Sequence, residues 1–182
     1  MIHRFSVSAI ILQAGQVLLV KHRRLGRWIY PGGHLENDED PVDGLRREIR
    51  EELGIEIDLV RGPPVRHAAV KAIAAPFLML AFDTEGPPEA RRQVDMVYVC
   101  RPLGGTPVVQ PRELSDYAWV PVDEVAALDV PPELPAVIRA AADHAQRPDG
   151  DETPAGCGTA PAEIPSPRPD RPIRPNSHPS TT

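Results

Sequence analysis

The stretch Gly33-His-Leu-Glu-Asn-Asp-Glu39, then seven residues, then Arg47-Glu48-Ile49-Arg50-Glu51-Glu52-Leu53-Gly54-Ile55 decides how this chain is read. Glu48, Glu51 and Glu52 stand at relative positions 0, +3 and +4. On an α-helix, which advances ~100° per residue, they crowd an arc of about 100°. Like charges that close destabilise a helix by roughly a few tenths of a kcal/mol per pair. A divalent cation turns that repulsion into coordination, and oxygen-only ligands point to Mg²⁺ or Mn²⁺. The bland alternative is an acidic surface helix carrying three solvated glutamates.

The segment has the other marks of a helix with one buried side. Val42, Leu45, Ile49 and Leu53 recur at helical spacing beside the acidic arc. Asp40 suits the N-cap, Pro41 the first helical position, and Asp43 an approximate capping box. Gly54 can take the left-handed conformation that stops a helix. The expected helix runs from Pro41 to Leu53.

The pattern Gly-x5-Glu-x7-Arg-Glu-(aliphatic)-x-Glu-Glu-x-Gly-(aliphatic) is met at every specified position from Gly33 to Ile55, and Trp28-Ile-Tyr-Pro-Gly-Gly33 leads into it. On these residues the chain resembles the Nudix (MutT-like) hydrolases. The motif itself covers 23 residues, the resemblance most of residues 3–146. It implies an α/β (α+β) fold, an α/β/α sandwich around a mixed sheet. It implies metal-dependent hydrolysis of a diphosphate linkage in a nucleoside di- or triphosphate derivative. Glu48, Glu51 and Glu52 would hold the metal, with Glu48 and Glu52 counted also as catalytic. Arg47 would pair with Glu39 to pin the loop against the helix. Backbone at Gly32 and Gly33 would approach the metal, which glycine permits. A catalytically silent, nucleotide-binding regulatory module of the same fold is the alternative. Loss of a motif carboxylate would favour that alternative, and none is lost.

Hydrolysis needs neutralised phosphate charge, in-line water and a base. Metal supplies the first two and lowers the pKa of bound water. Mutual repulsion is expected to raise at least one carboxylate pKa in the metal-free cluster. Catalysis should therefore need divalent metal and favour neutral to alkaline pH, and undiminished activity in EDTA would overturn this. In the resembled family the base lies either on the helix or on a later loop. Glu113 is the loop candidate, in Pro111-Arg-Glu-Leu-Ser-Asp-Tyr-Ala-Trp119, with Asp116 second and a plain surface position the alternative. Glu36, just past the glycines, is a further metal contact or merely faces solvent.

Substrate contacts are assigned to Arg27 and Asp95. Asp95 opens an alternating strand expected to end near the site. Arg23 and Arg24 share the loop of Arg27 and offer phosphate contacts. Arg91 and Arg92 are read as phosphate ligands or solvated loop charges. Trp28 and Tyr30 are base-stacking or core positions. His34 and His67 lack the company of a zinc site and are read as non-ligands. ADP-ribose, nucleotide sugars, nucleoside triphosphates and dinucleoside polyphosphates all remain open as substrates, because fold analogy does not choose among them.

Formal net charge is −6, which argues against a broad surface for nucleic-acid backbone but not against a phosphorylated small molecule, since bound metal inverts the local sign. No run approaches membrane-spanning length. Cys100 and Cys157 suggest no disulfide framework, and a cytoplasmic setting is the default. A homodimer is compatible with the sequence. Residues 1–146 read as one Nudix domain and 147–182 as a Pro-rich disordered tail. In that tail nine of 36 residues are proline and Ile164 and Ile173 are the large aliphatics, too few to offset conformational entropy. Pro165, Pro167 and Pro169 form a candidate polyproline ligand, against an unselected tail.

Patterning places a hairpin at Phe5–Leu12 and Gln16–Lys21 around Ala14-Gly15. Further strands are expected at Glu56–Arg61, between Ala68 and Phe82, at Val94–Arg101 and at Tyr117–Val120. A short helix is expected at Asp123–Leu128 and a longer one at Pro132–Gln146.

Overall fold

The computed structural model describes residues 3–63, 65, 68–84 and 91–147. His67, Cys157 and the proline-rich tail beyond Arg147 lie outside the described residues. The chain opens with β1 (His3–Gln13) and β2 (Gln16–His22), joined antiparallel with Leu12 opposite Val17 and Gln13 opposite Gln16. Two short strands follow, β3 (Trp28–Ile29) and β4 (Gly32–His34), then helix α1 (Pro41–Leu53). Next come β5 (Ile57–Leu59), β6 (Leu78–Thr84), β7 (Arg91–Pro102) and β8 (Leu114–Pro121). A 3-10 helix, Val122–Ala127, and helix α2 (Leu134–Gln146) complete the described fold.

All eight strands join one mixed sheet. β1 lies at its centre, parallel to β7 from His3 opposite Arg92 to Ile11 opposite Cys100. β4 lies on the other side of β1, antiparallel, with Val7 opposite Gly33. β2 carries β3 on one edge and β8 on the other.

Strand alternation divides the core in two. Val7, Ala9, Ile11, Met96, Tyr98 and Cys100 face Val42, Leu45, Ile49 and Leu53 of α1. Ile10, Val97 and Val99 face the opposite way, onto Leu134, Ile138 and Ala141 of α2. A period of two sends neighbouring residues to opposite faces, so one helix covers each face. This is the expected α/β/α sandwich.

Helix α1 has the expected bounds. Asp40 accepts from the backbone N–H of Val42 (2.9 Å) and Asp43 (3.0 Å), and Gly54 closes the helix at φ 65°. The capping box is a different device from the one expected. The Asp43 carboxylate receives Lys71 Nζ at 2.7 Å, and Lys71 also reaches Asp40 at 2.5 Å. That anchor holds the segment after β5 across the start of α1. It helps explain why the expected strand run from Ala68 begins only at Leu78. Pro76 also removes a ladder donor.

Several boundaries move. Strand β7 starts at Arg91, so Arg91 and Arg92 are strand residues and not loop charges. The helix expected from Asp123 is a 3-10 helix entered from Pro121, and α2 starts at Leu134 rather than Pro132. Strands β3 and β4, of two and three residues, were not expected.

Candidate active site

The motif glutamates gather where β4 passes the side of α1. The backbone N–H of Gly32 donates to Glu52 Oε2 at 3.1 Å. Gly32 has φ 153°, and a Cβ there would strike the β1 backbone. A Cβ at Gly33 would overlap the Glu48 carboxylate. The two glycines therefore let the strand lie flat against both acids.

The three glutamates have unequal surroundings. Glu52 is 8% exposed and the Glu48 side chain 15%, whereas that of Glu51 is 61% exposed. Arg47 is the hub. It grips Glu39 twice, at 3.0 and 2.6 Å, and donates to the His34 carbonyl at 3.1 Å. Its remaining nitrogen reaches Glu48 at 3.0 Å and Glu51 at 3.3 Å. The expected Arg47–Glu39 pair is thus present, and the same guanidinium holds two of the acids.

Burial pushes the Glu52 carboxyl up to about 8, against the Gly32 N–H bond that favours its anion, with Glu48 and Glu113 adding to the rise. Burial also raises Glu48, offset in part by Arg47 and reinforced by Glu51 and Glu113. The expected rise occurs, but its first cause is desolvation and mutual repulsion comes second.

The charge of Glu113, on the turn before β8, adds to the rise of both acids. The backbone N–H of Arg23 donates to the Glu113 carbonyl at 2.9 Å, and Arg23 Nε donates to the Leu114 carbonyl at 2.9 Å. The hairpin end thereby holds the Glu113 turn in place. Arg23 is committed to this clamp. Glu113 also acts on His34, whose pKa is lowered first by burial and then by Arg4 and Arg24.

Other candidates lie elsewhere. Arg27 pairs with Asp129 at 3.3 Å. Asp116 caps the N–H of Tyr117 at 2.8 Å, opposite Lys21. The Glu36 side chain is exposed beside a 480 Å³ cavity that Arg4, Phe5 and His34 also line. Arg92 pairs with Asp83 at 3.1 Å. Trp28 and Tyr30 are half-buried against the α2-side core. Asp95 is buried within β7, where it takes the Ser6 and Ser8 hydroxyls at 2.7 and 3.0 Å. Sequence reasoning missed Ser6, Ser8 and Arg4. The only trace of the two serines was their alternation with Val7 and Ala9.

Among the described residues no three His, Cys, Asp or Glu side chains converge closely enough to enclose a metal ion. Arg47 supplies the positive charge beside Glu48 and Glu51 instead. The donor chemistry nonetheless fits a hard divalent cation: Glu48, Glu51 and Glu52 offer only oxygens, beside a glycine cradle that leaves the strand bare.

The NUDIX domain family profile matches residues 2–141. A MutT-like protein of Streptomyces ambofaciens is 28% identical over 126 residues, 69% of this chain and 68% of that protein. A CTP pyrophosphohydrolase of Escherichia coli K12 is 44% identical over 54 residues, 28% of this chain and 40% of that protein. The crystal structure of a NUDIX-family hydrolase from Clostridium perfringens superposes with a TM-score of 0.66 at 21% identity, covering 77% of this chain and 96% of that one. The chain belongs to the Nudix family and is a hydrolase of pyrophosphate bonds. No helix among the described residues is long and apolar enough to cross a membrane.

Proposed function

We propose that this enzyme hydrolyses the diphosphate linkage of a nucleoside di- or triphosphate derivative, with Mg²⁺ or Mn²⁺ held by Glu48, Glu51 and Glu52. The observation that carries the reading is the meeting of Glu48 and Glu52 at Gly32–Gly33, where the charge of Glu113 also acts on both. When bound, the metal neutralises phosphate charge and acidifies water. The protein's own part is positional. Gly32 N–H and the burial of Glu52 orient one carboxylate, while Arg47 holds Glu39 and Glu48 in fixed relation. Burial holds the proton of Glu52 to about 8, and a divalent cation held there would favour its anion. Glu113, exposed on its turn, is the candidate base for the attacking water, with Glu52 the second.

The test is a panel of nucleoside triphosphates, ADP-ribose and nucleotide sugars, read by phosphate or pyrophosphate release. It is run with Mg²⁺, with EDTA, and with Glu52→Gln. Turnover that needs metal and falls steeply in the variant supports the reading. Equal rates for parent and variant, or full activity in EDTA, would sink it.

A further inference from the structure

Among the described residues Asp95 is the second deeply buried carboxylate, 4% exposed, and the catalytic reading does not use it. Its Oδ1 accepts both serine hydroxyls, Ser6 at 2.7 Å and Ser8 at 3.0 Å. No hydrogen bond from a described residue reaches Oδ2. Yet no described side-chain oxygen is both fully enclosed and unpartnered, so Oδ2 keeps some accessible surface. Burial raises the Asp95 carboxyl, and the two hydroxyls on one oxygen work against that rise. What the cluster turns outward is lone pairs only.

Its position relates it to the acidic centre. Ser6 is the strand partner of both His34 and Asp95, so the three stand in one row across β4, β1 and β7. Neighbouring strands are about 4.8 Å apart, which puts Asp95 roughly 10 Å across the sheet from His34. Residues directly opposite one another share a face, and Asp95 lies on the same face as Val97 and Val99 of the α2-side core. His34 follows Gly33, a Cβ at which would meet Glu48, and the charges of Arg4 and Arg24 both act on His34. Tyr30 packs against the same α2-side core, within the field of Asp95. A nucleotide with its phosphates at the glutamates and its chain passing the cations at His34 would bring its base to Asp95.

We propose that Asp95 reads the nucleobase, its open carboxylate oxygen accepting from an exocyclic amine, so that the substrate carries an amino base rather than its oxo counterpart. This rests on the hydrolase reading above. A site of acceptors alone rewards an N–H and is left facing a lone pair by a carbonyl.

The test compares kcat/KM for CTP against UTP and for ATP against ITP, pairs in which an amine is replaced by an oxo group. The parent is expected to prefer the amino member of the accepted pair at least about 10-fold. In Asp95→Asn the serine hydroxyls retain the amide oxygen and turn its NH₂ outward. The preference should then invert, at an unchanged melting temperature. An equal ratio in parent and variant, or a parent that prefers the oxo base, overturns the proposal. Should Asp95→Asn fail to fold, the parent's own ratios still decide. Calorimetric titration of the four nucleotides in EDTA separates the two readings. Amino-selective binding without turnover in Mg²⁺ keeps base recognition and sinks the hydrolase reading, turnover with no base selectivity does the reverse, and neither binding nor turnover sinks both.

Discussion

Glu52 and Asp95 are both buried carboxylates beside β1, and they are built to opposite purposes. Glu52 takes one backbone N–H, and the charges of two further carboxylates, Glu48 and Glu113, add to the rise of its pKa. Asp95 takes two hydroxyls on a single oxygen, and its raised pKa has burial alone as its cause. An acid kept among acids stores a charge deficit that only a cation relieves. An acid kept among donors has its anion favoured against its burial and keeps an acceptor to spare. On the readings proposed above, the same burial serves a metal at one site and an N–H at the other.

The largest effect expected from breaking this contrast is on turnover. Glu52→Gln keeps the acceptor for Gly32 N–H but removes the charge, and kcat should fall by about 10³-fold. The variant should fold at least as well as the parent without metal, because a buried acid whose ionisation burial penalises has gone. A thermal melt beside the kinetic assay checks both halves, and a destabilised variant would contradict the assignment of burial as the dominant cause.

Stability should respond next. Arg47→Met leaves Glu39 and Glu48 half-buried without their cation and should cost roughly 3 kcal/mol in urea unfolding. A cost near zero would show that the guanidinium hub is not structural.

A pH series sharpens the comparison further. The Glu52 carboxyl rises from 4.5 to about 8 in the folded state, so the folded protein keeps a proton that the unfolded chain has released. Stability without metal should therefore decline as pH rises from 4.5 through about 8, then level off. Saturating Mg²⁺ should reverse the decline by binding only the folded form, and Glu52→Gln should flatten it. A flat metal-free profile for the parent would contradict the shift. The smallest effect is reserved for Lys71→Ala. Its side chain is 66% exposed, so its two short ion pairs are screened and Tm should hardly move.

What was legible in the sequence was local. Helix α1 was readable to its ends because cap, proline, apolar stripe and terminal glycine all lie within the segment they describe. The hairpin of β1 and β2 was readable for the same reason. Strands β3 and β4 were not, since two or three residues carry no period. Arg27 and Arg23 looked like phosphate ligands by proximity in the chain. Their partners, Asp129 and the Leu114 carbonyl, lie about a hundred residues away and are brought in by folding alone.

The sequence by itself determined the acidic helix, its glycine approach and the reaction they imply, because those residues sit within one turn or one loop of each other. Tertiary structure decided which glutamates are buried and that the charge of Glu113 acts on them. It also decided that Ser6, Ser8 and Asp95 are one cluster. The physical reason is register: β1 meets β7 across almost ninety residues of chain, and only that parallel pairing turns two ordinary serines and one aspartate into a site.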